Sequence, residues 1–210
     1  MAKYHWNGSW DWDEVSAPLL IDVPRDGRTI KSLVHPARNG YLWLLEREAN
    51  AINFVDANPY VDQNVFASID PVTGRPTYDQ ERKPGTGKPA TFCPSLWGGK
   101  DWPPAAYSPQ TGYLYIPANE NLCSTLVGRE VEYRPGAGYT GATAQTFVAA
   151  LVEFLVPIPP KGIEAEVAGQ VGSSLVLVDF ALRNHAASPK IRTIEPRATP
   201  TTSGSVVSLR

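Results

Sequence analysis

Short apolar segments separated by turn residues fill the first two thirds of the chain. Residues 19–22 and 29–35 are predicted strands on either side of an Arg-Asp-Gly turn at residues 25–27. Asn39-Gly40 is the strongest hairpin signal, because both residue types tolerate the positive φ of a type I′ turn. The turn leads into residues 41–46, a nearly continuous apolar run that predicts a strand buried on both faces.

Two similar turn sequences, residues 70–74 and 108–112, lie about 40 residues apart, which is close to the length of one propeller blade. An apolar strand at residues 113–116 follows the second turn. Propeller blades stack around an axis because one blade cannot bury both faces of its sheet. The pattern therefore predicts an all-β fold. Residues 80–91 are too polar and too rich in Gly and Pro for a core, so a surface excursion is expected there.

Composition divides the chain into two segments. No Trp follows Trp102 and no Tyr follows Tyr139, so the last 71 residues contain neither residue type. We therefore expect an aromatic, turn-rich body at residues 1–146 and a tail of different character at residues 147–210, which suggests a frameshift or a truncated gene. A divergent but genuine C-terminus is the alternative.

The tail gives weaker signals than the body. Residues 147–156 are compatible with a helix or a strand, and the prolines that follow end this segment. Residues 173–182 are compatible with one more strand. From residue 185 onward Pro, Ser, Thr and Arg dominate, and disorder is expected.

The overall composition is that of an ordinary globular protein. With a net charge of -2 and 19% charged residues, nothing indicates a nucleic-acid or anionic-membrane partner. No apolar run approaches the ~18–20 residues of a membrane span, and the first six residues lack the apolar stretch of a signal peptide. Cys93 and Cys123 form either one disulfide or two free thiols, and the missing signal favours thiols.

Acidic and aromatic residues alternate in Trp10-Asp11-Trp12-Asp13. On a strand, two carboxylates at i and i+2 point to the same face, and their repulsion favours a cation between them. This face is suited to a hard metal ion that prefers oxygen ligands. The alternative is a turn whose carboxylates are solvated between core tryptophans.

Two further segments contain candidate binding residues. Arg38 precedes the Asn39-Gly40 turn, and a planar guanidinium suits an anionic carboxylate or a quinone oxygen. In residues 93–104, Gly98-Gly99 allows a backbone to approach a ligand closely, and charged and aromatic side chains follow. The alternatives are a solvated Arg and a structural loop. Dinucleotide fingerprints, phosphate loops, zinc-spaced clusters and nucleophile elbows are absent from the sequence.

Taken together, these segments resemble the methanol and ethanol dehydrogenases that depend on pyrroloquinoline quinone (PQQ), which are eight-bladed β-propellers. Residues 10–13 resemble the family's Trp-Asp-aromatic-Asp motif, and Arg38 falls where the family has a cofactor-contacting Arg in a hairpin. Residues 93–100 resemble its cofactor-floor loop, and residues 117–123 resemble the strand end that follows. The resemblance runs from about residue 4 to residue 141.

The resemblance implies a role for each matching residue. Asp11 matches the general base that takes the hydroxyl proton of the alcohol while hydride passes to the quinone. Asp11 and Asp13 match metal ligands for Ca²⁺ or a lanthanide ion, and Asp13 matches the additional carboxylate of lanthanide-using members. Arg38 matches a contact to the quinone oxygens. The cofactor-binding residues implied by the loop are Lys100, Asp101 and Trp102.

The cysteines and Asp101 have further implications. Cys93 and Cys123 match a disulfide pair of the family, which fits a periplasmic location. Where this chain has Asp101, the family usually has an Asn that hydrogen-bonds the cofactor, so Asp101 places a negative charge near an anionic cofactor. The start of the family's sequence, with its signal peptide and two further metal ligands, has no counterpart here.

The sequence therefore predicts an internal fragment of a quinoprotein. We expect an all-β fold, a partial β-propeller of about three blades with a poorly ordered C-terminal tail. The implied reaction is the oxidation of primary alcohols with a cytochrome c-type electron acceptor, and we expect the chain alone to be inactive unless the missing propeller half joins it. The alternatives are a non-enzymatic binding or assembly module and a non-functional truncated gene product.

Overall fold

The structure is a computed structural model that describes residues 8–25, 27–138 and 140–149 and the backbone of three later strands. One 3-10 turn, Gln80–Arg82, occurs in this part of the chain, and no helix there has the length and apolarity to cross a membrane. The described strands are β1 (Leu19–Arg25), β2 (Arg28–Pro36), β3 (Tyr41–Arg47), β4 (Ile52–Pro59), β5 (Phe66–Ile69), β6 (Pro76–Tyr78), β7 (Pro89–Phe92), β8 (Ala106–Tyr107), β9 (Tyr113–Ala118), β10 (Leu122–Gly128), β11 (Ala142–Val148), β12 (Ala165–Gln170), β13 (Ser173–Asp179) and β14 (Lys190–Thr193).

The first four strands form one antiparallel sheet in the order β1-β2-β3-β4. Strand β3 is buried on both faces, as its apolar run predicts. Because successive side chains of a strand point to opposite faces, Leu42 and Leu44 belong to one hydrophobic cluster while Tyr41 and Trp43 belong to another. This sheet therefore separates two cores.

The hairpin between β2 and β3 differs from the predicted type I′ turn. The N–H of Gly40 donates to the Ala37 carbonyl (3.0 Å), and the N–H of Ala37 donates to the Tyr41 carbonyl (2.9 Å). Only Gly40 has a positive φ, 87°, and Asn39 does not. The turn is thus a type I turn followed by a glycine bulge, and its two central residues are Arg38 and Asn39.

The two similar turn sequences adopt the same hydrogen-bond pattern. The N–H of Gly74 donates to the Asp70 carbonyl (2.9 Å), and the N–H of Gly112 donates to the Ser108 carbonyl (2.8 Å). Both glycines have positive φ, 70° and 75°. A Cβ on Gly74 would lie 2.5 Å from the Phe54 ring, so this turn requires glycine for space as well as for conformation.

The remaining sheets are β5-β6, β11-β10-β7 and β12-β14-β13-β9-β8. Pairing is antiparallel between the strands named here except for β12 with β14, which is parallel. The predicted all-β architecture is confirmed, and these sheets are consistent with a partial propeller. Strand β7 corrects the expected surface excursion, because its Ala90 and Phe92 are buried.

The chain beyond residue 146 contributes strands to these sheets. Strand β11 pairs with β10 along its full length, from Ala142 to Val148. Strand β13 pairs with β9 and lies in the segment predicted to form one more strand. Strand β14 lies within the segment expected to be disordered. The other residues after 149 are outside the described part of the chain.

Candidate functional site

The acidic segment at residues 10–14 is a loop whose position is fixed by two tryptophans. Trp10 and Trp12 are completely or almost completely buried, and their rings stack with centroids 5.4 Å apart. Their indole N–H groups donate to the carbonyls of Arg82 and Ser95, each at 2.8 Å. Burial of the two indoles therefore ties this loop to two distant parts of the chain.

Asp11 lies between the two buried tryptophans, Asp13 directly follows Trp12, and both aspartates are exposed. Of the two interpretations of residues 10–13, the strand is wrong, because these residues lie outside every described strand and Asp11 has a φ of 62°. The alternative of exposed carboxylates beside core tryptophans agrees with the structure. A left-handed conformation is uncommon for a residue with a side chain and costs about 1–2 kcal/mol. Such strain is typical of functional sites.

Arg38 lies at the tip of the β2–β3 hairpin and is 7% exposed. Its Nη2 donates to the Leu96 carbonyl (2.6 Å), and its Nη1 donates to the Asp13 carbonyl (3.4 Å). The same Nη1 lies 3.9 Å from a carboxylate oxygen of Asp13 and 3.9 Å from one of Asp101. Three segments that are distant in sequence therefore meet at one guanidinium.

The Gly98-Gly99 pair allows the second loop to lie against the hairpin. The N–H of Gly99 donates to the Arg38 carbonyl at 2.8 Å. A Cβ on Gly98 would lie 2.7 Å from the Cβ and from the carbonyl oxygen of Arg38, and Gly98 has a φ of 73°. The close backbone approach expected from the sequence thus occurs, but the partner is the Arg38 hairpin.

The three residues after the glycines have different surroundings. Lys100 is 1% exposed, and its Nζ donates to Ser16 Oγ and to the Asp101 carbonyl. Burial lowers the pKa of the Lys100 ammonium, and the nearby Glu14 and Asp101 carboxylates oppose this shift. Asp101 faces Arg38, and Trp102 is 72% exposed. Of the three, Trp102 presents the largest surface to a ligand.

We define the Arg38 site as Asp13, Arg38, Asp101 and Trp102. Two of its polar atoms, Arg38 Nε and Asp101 Oδ1, are buried and lack a hydrogen-bond partner. Buried polar atoms are normally paired, so the Nε–H of Arg38 is suited to donate to an acceptor on a ligand, whereas Asp101 Oδ1 can only accept from a donor.

Glu14 is a site residue that the motif comparison did not include. Its carboxylate lies 2.9 Å from His35 Nε2 and accepts a hydrogen bond from the backbone N–H of Arg38 at 3.1 Å. The sequence signal was weak, because a single Glu after an acidic motif gives no indication of its partners.

Cys93 and Cys123 are joined in a disulfide with their Cα atoms 4.4 Å apart. Cys93 directly follows β7, and Cys123 lies in β10, which pairs with β7. The bond thus holds the start of the loop at residues 93–104 to the neighbouring sheet. The choice between thiols and a disulfide, which residue types alone left open, is resolved by this geometry.

Glu120 is a second unpredicted ionisable group, beside the same loop. The pKa of Glu120 is raised to about 7, mainly by burial and also by the negative charge of Asp62, while a hydrogen bond from the Asp62 backbone opposes the shift. The preceding residue, Asn119, donates to the carbonyls of Gly99 and Gly98. Glu120 therefore lies next to the residues that support the glycine loop.

Comparisons with known proteins identify relatives of this chain. No family model matches it. The chain is 38% identical over 135 residues to the lanthanide-dependent methanol dehydrogenase of Methylacidiphilum fumariolicum (strain SolV), which covers 64% of this chain and 22% of the relative. It is 35% identical over 144 residues to a quinoprotein ethanol dehydrogenase of Pseudomonas putida, covering 64% of this chain and 23% of the relative.

Similarity also reaches the later part of the chain. A quinohemoprotein alcohol dehydrogenase of Pseudomonas putida, ADH-IIG, is 27% identical over 201 residues, which is 95% of this chain and 27% of the relative. The structure matches a europium-containing methanol dehydrogenase with a TM-score of 0.64 and 29% identity, covering 89% of this chain and 29% of the other. The similarity therefore extends beyond residue 147.

These relatives are the quinoprotein alcohol dehydrogenases that the motifs resemble. The family recognised from the sequence is thereby confirmed over the matched part of the chain. The chain spans about a quarter of the length of the curated relatives it matches.

The strained backbone at Asp11 predicts that Asp11→Gly raises the free energy of unfolding by about 1 kcal/mol, because glycine adopts a positive φ without steric cost. Asp13→Gly is the matched control. Asp13 lacks a positive φ, so this change is expected to lower stability by about 0.5–1 kcal/mol. Urea unfolding measures both variants, and equal losses of stability in the two would contradict the account.

The raised pKa of Glu120 predicts a loss of stability with rising pH. The folded state binds more protons than the unfolded chain between the ordinary value of 4.5 and about 7. The free energy of unfolding is therefore expected to fall across this window by about 2–3 kcal/mol. Denaturant unfolding at pH 5 and pH 8 measures this change.

Glu120→Gln is expected to remove most of that decline and to stabilise the chain at pH 8. Glu130→Gln, at an exposed position, is the control and should keep the decline of the unmodified chain. If both variants show the same pH dependence, Glu120 is not its source.

Proposed function

We propose that this chain, which is similar to part of the quinoprotein alcohol dehydrogenases, supplies one wall of a PQQ site through the Arg38 site. The observation that carries the proposal is the meeting of Arg38 with Asp13 and Asp101, each 3.9 Å from the same guanidinium nitrogen. The proposal assigns favourable cofactor contacts to Arg38 and Trp102, and it places Asp101 beside the cofactor, where its negative charge opposes an anionic ligand. A direct contact between Lys100 and the cofactor stays a prediction, because the Lys100 side chain is buried.

The residues present fit an anionic, planar quinone. Arg38 offers a guanidinium with an unpartnered buried Nε, and such a group binds carboxylates and quinone oxygens in a planar geometry. The exposed ring of Trp102 offers a flat apolar surface beside it. When bound, PQQ would accept the hydride removed from the alcohol carbon.

Asp11 is proposed as the general base. Its exposed carboxylate lies on the same loop as Asp13, so it can take a hydroxyl proton from a substrate held against this wall. A left-handed backbone at Asp11 sets the direction in which the carboxylate leaves the loop. Asp11→Asn would keep the shape of the side chain and remove its ability to accept a proton at neutral pH.

The described residues do not fit a complete metal site. They contain no group of three or more His, Cys, Asp or Glu side chains placed to hold an ion, whereas Ca²⁺ takes 6–8 oxygen ligands. Asp11 and Asp13 are proposed as two ligands of a Ca²⁺ or lanthanide site whose other ligands lie elsewhere in the whole propeller.

The Asp101 carboxylate distinguishes this chain from the pattern it resembles. It lies 3.9 Å from Arg38 and therefore competes with an anionic ligand for the guanidinium. Replacement of this carboxylate by an amide would remove the competing charge and leave a hydrogen-bonding group. Affinity for PQQ is thus expected to rise in Asp101→Asn.

The activity of the whole protein is proposed to need more than this chain. We propose oxidation of primary alcohols, a periplasmic location and a cytochrome c-type electron acceptor, all by similarity to the family. The incomplete metal site supports the expectation that the chain alone is inactive. The partner would be the rest of the propeller. Without such a partner, the alternative role is a non-enzymatic assembly module.

Titration of the purified chain with PQQ, in the presence of Ca²⁺ or La³⁺, tests the proposal through quenching of tryptophan fluorescence. Saturable quenching is expected. Arg38→Ala is expected to weaken binding at least about tenfold, because a charge-assisted contact contributes about 1.5–3 kcal/mol. Asp101→Asn is expected to tighten binding by up to about tenfold.

Arg75→Ala, at an exposed position in the β5–β6 turn, is the control and should bind as the unmodified chain does. Dye-linked ethanol oxidation is measured in the same samples, and none is expected. Ethanol oxidation by the unmodified chain would contradict the expected inactivity. If Asp11→Asn abolished that oxidation, the result would support Asp11 as the general base. Quenching that is absent, or equal in all variants, would contradict the Arg38 site as a PQQ wall and favour the assembly module.

A further inference from the structure

Glu14 connects the acidic loop to the hairpin that carries Arg38. Its carboxylate lies 2.9 Å from His35 Nε2, near the end of β2. The backbone N–H of Arg38, at the tip of the hairpin, donates to both carboxylate oxygens, at 3.1 and 3.3 Å. One side chain thus contacts two points on a segment that lies more than twenty residues further along the chain.

These contacts are well shielded from water. The His35 side chain is 2% exposed, and the Glu14 side chain is 20% exposed. Hydrogen bonds to an ionised carboxylate are about twice as strong as neutral ones, and shielding from solvent strengthens them further. The contacts of Glu14 are therefore stronger than an ion pair on an exposed surface.

The backbone of Arg38 is held on both sides of its Cα atom. Its N–H donates to Glu14, and its carbonyl accepts from the N–H of Gly99 at 2.8 Å. A residue held at both backbone groups has little backbone freedom, so the direction in which its side chain leaves the hairpin is set. From this starting point the guanidinium reaches the Leu96 and Asp13 carbonyls, and the Glu14 carboxylate thus contributes to where the guanidinium meets Asp13 and Asp101.

A second connection holds the same loop two residues further on. Ser16 Oγ donates to the Asp101 carbonyl at 3.0 Å, and Lys100 Nζ donates to both Ser16 Oγ and the Asp101 carbonyl. The acidic loop is thus tied to the hairpin by Glu14 and to the glycine loop by Ser16. Loss of Glu14 would release the hairpin connection and leave the Ser16 connection in place.

We propose that Glu14 is a positioning residue, which orients the Arg38 guanidinium toward PQQ without contacting the cofactor itself. The inference rests on the proposed function, because it assigns the source of the geometry at the Arg38 site. It also has a consequence that does not depend on PQQ: in the absence of any ligand, Glu14 should protect the Arg38 amide from hydrogen exchange.

The test compares Glu14→Ala and Glu14→Gln in the full chain, each with and without Arg38→Ala. PQQ affinity is measured by tryptophan quenching. Glu14→Ala is expected to weaken binding about tenfold when Arg38 is present. It should have almost no effect when Arg38 is absent, because coupled residues are not additive. Glu14→Gln keeps one carbonyl acceptor and should restore part of the affinity.

Amide exchange of Arg38 is measured in the same proteins without ligand. Glu14→Ala is expected to lower protection of this amide about tenfold, with a smaller change at the amides of β9. Glu48→Ala is the matched control, because this exposed Glu contacts Asn53 at the β3–β4 turn. It should change neither PQQ affinity nor exchange at Arg38.

The outcomes separate this inference from the proposed function. A general loss of folding would weaken PQQ binding equally with and without Arg38, and that result would overturn the positioning role. If the unmodified chain does not bind PQQ, the proposed function fails. Amide exchange alone then tests whether Glu14 positions Arg38. Unchanged protection at Arg38 in both Glu14 variants would overturn the inference whatever the binding result.

Discussion

Burial of Trp10 and Trp12 is the constraint on which the candidate site depends. The two indoles stack inside a core and donate hydrogen bonds to Arg82 and Ser95. A loop without regular structure would otherwise have many conformations, and fixing each residue costs about 1–2 kcal/mol. The two rings offset this cost, because fully burying one large apolar side chain contributes about 1.5–3 kcal/mol. The carboxylates of Asp11, between the two tryptophans, and of Asp13, directly after them, are thereby held at defined positions.

The site then follows from what lies against this loop. A type I turn with a glycine bulge places Arg38 at the hairpin tip, and the Gly98-Gly99 pair lets a second loop approach it. The guanidinium is nearly buried between two carboxylates. A buried charge needs such partners, so the acidic residues stabilise Arg38 and also reduce the positive charge that it offers to an anion. The two carboxylates therefore stabilise the site in the absence of cofactor and, for the same reason, weaken its affinity for an anionic cofactor.

Local sequence patterns predicted several of the strands and turns. The arrangement of the candidate site depends on contacts between distant parts of the chain, which these patterns do not specify. The apolar run at β3 and the Gly-containing turns follow from short-range periodicity and turn chemistry. The left-handed φ of Asp11 could not be read from the sequence, because residue type alone permits but does not require it. The partners of Glu14 and Lys100 lie more than twenty residues away, and no local pattern specifies them. The motif resemblance brought Arg38 and Asp101 together in one prediction, which the residue types alone did not.

The central claim is that PQQ binds against Arg38 and Trp102. Nuclear magnetic resonance of the ¹⁵N-labelled chain tests it most directly, because the indole N–H of each Trp and the guanidinium N–H of Arg38 give separate signals. The account predicts saturable shifts of the Arg38 Nε–H and Trp102 indole signals as PQQ is added, with the signal of the buried Trp43 unchanged. Shifts confined to other tryptophans, or no saturable shift at Arg38, would contradict it.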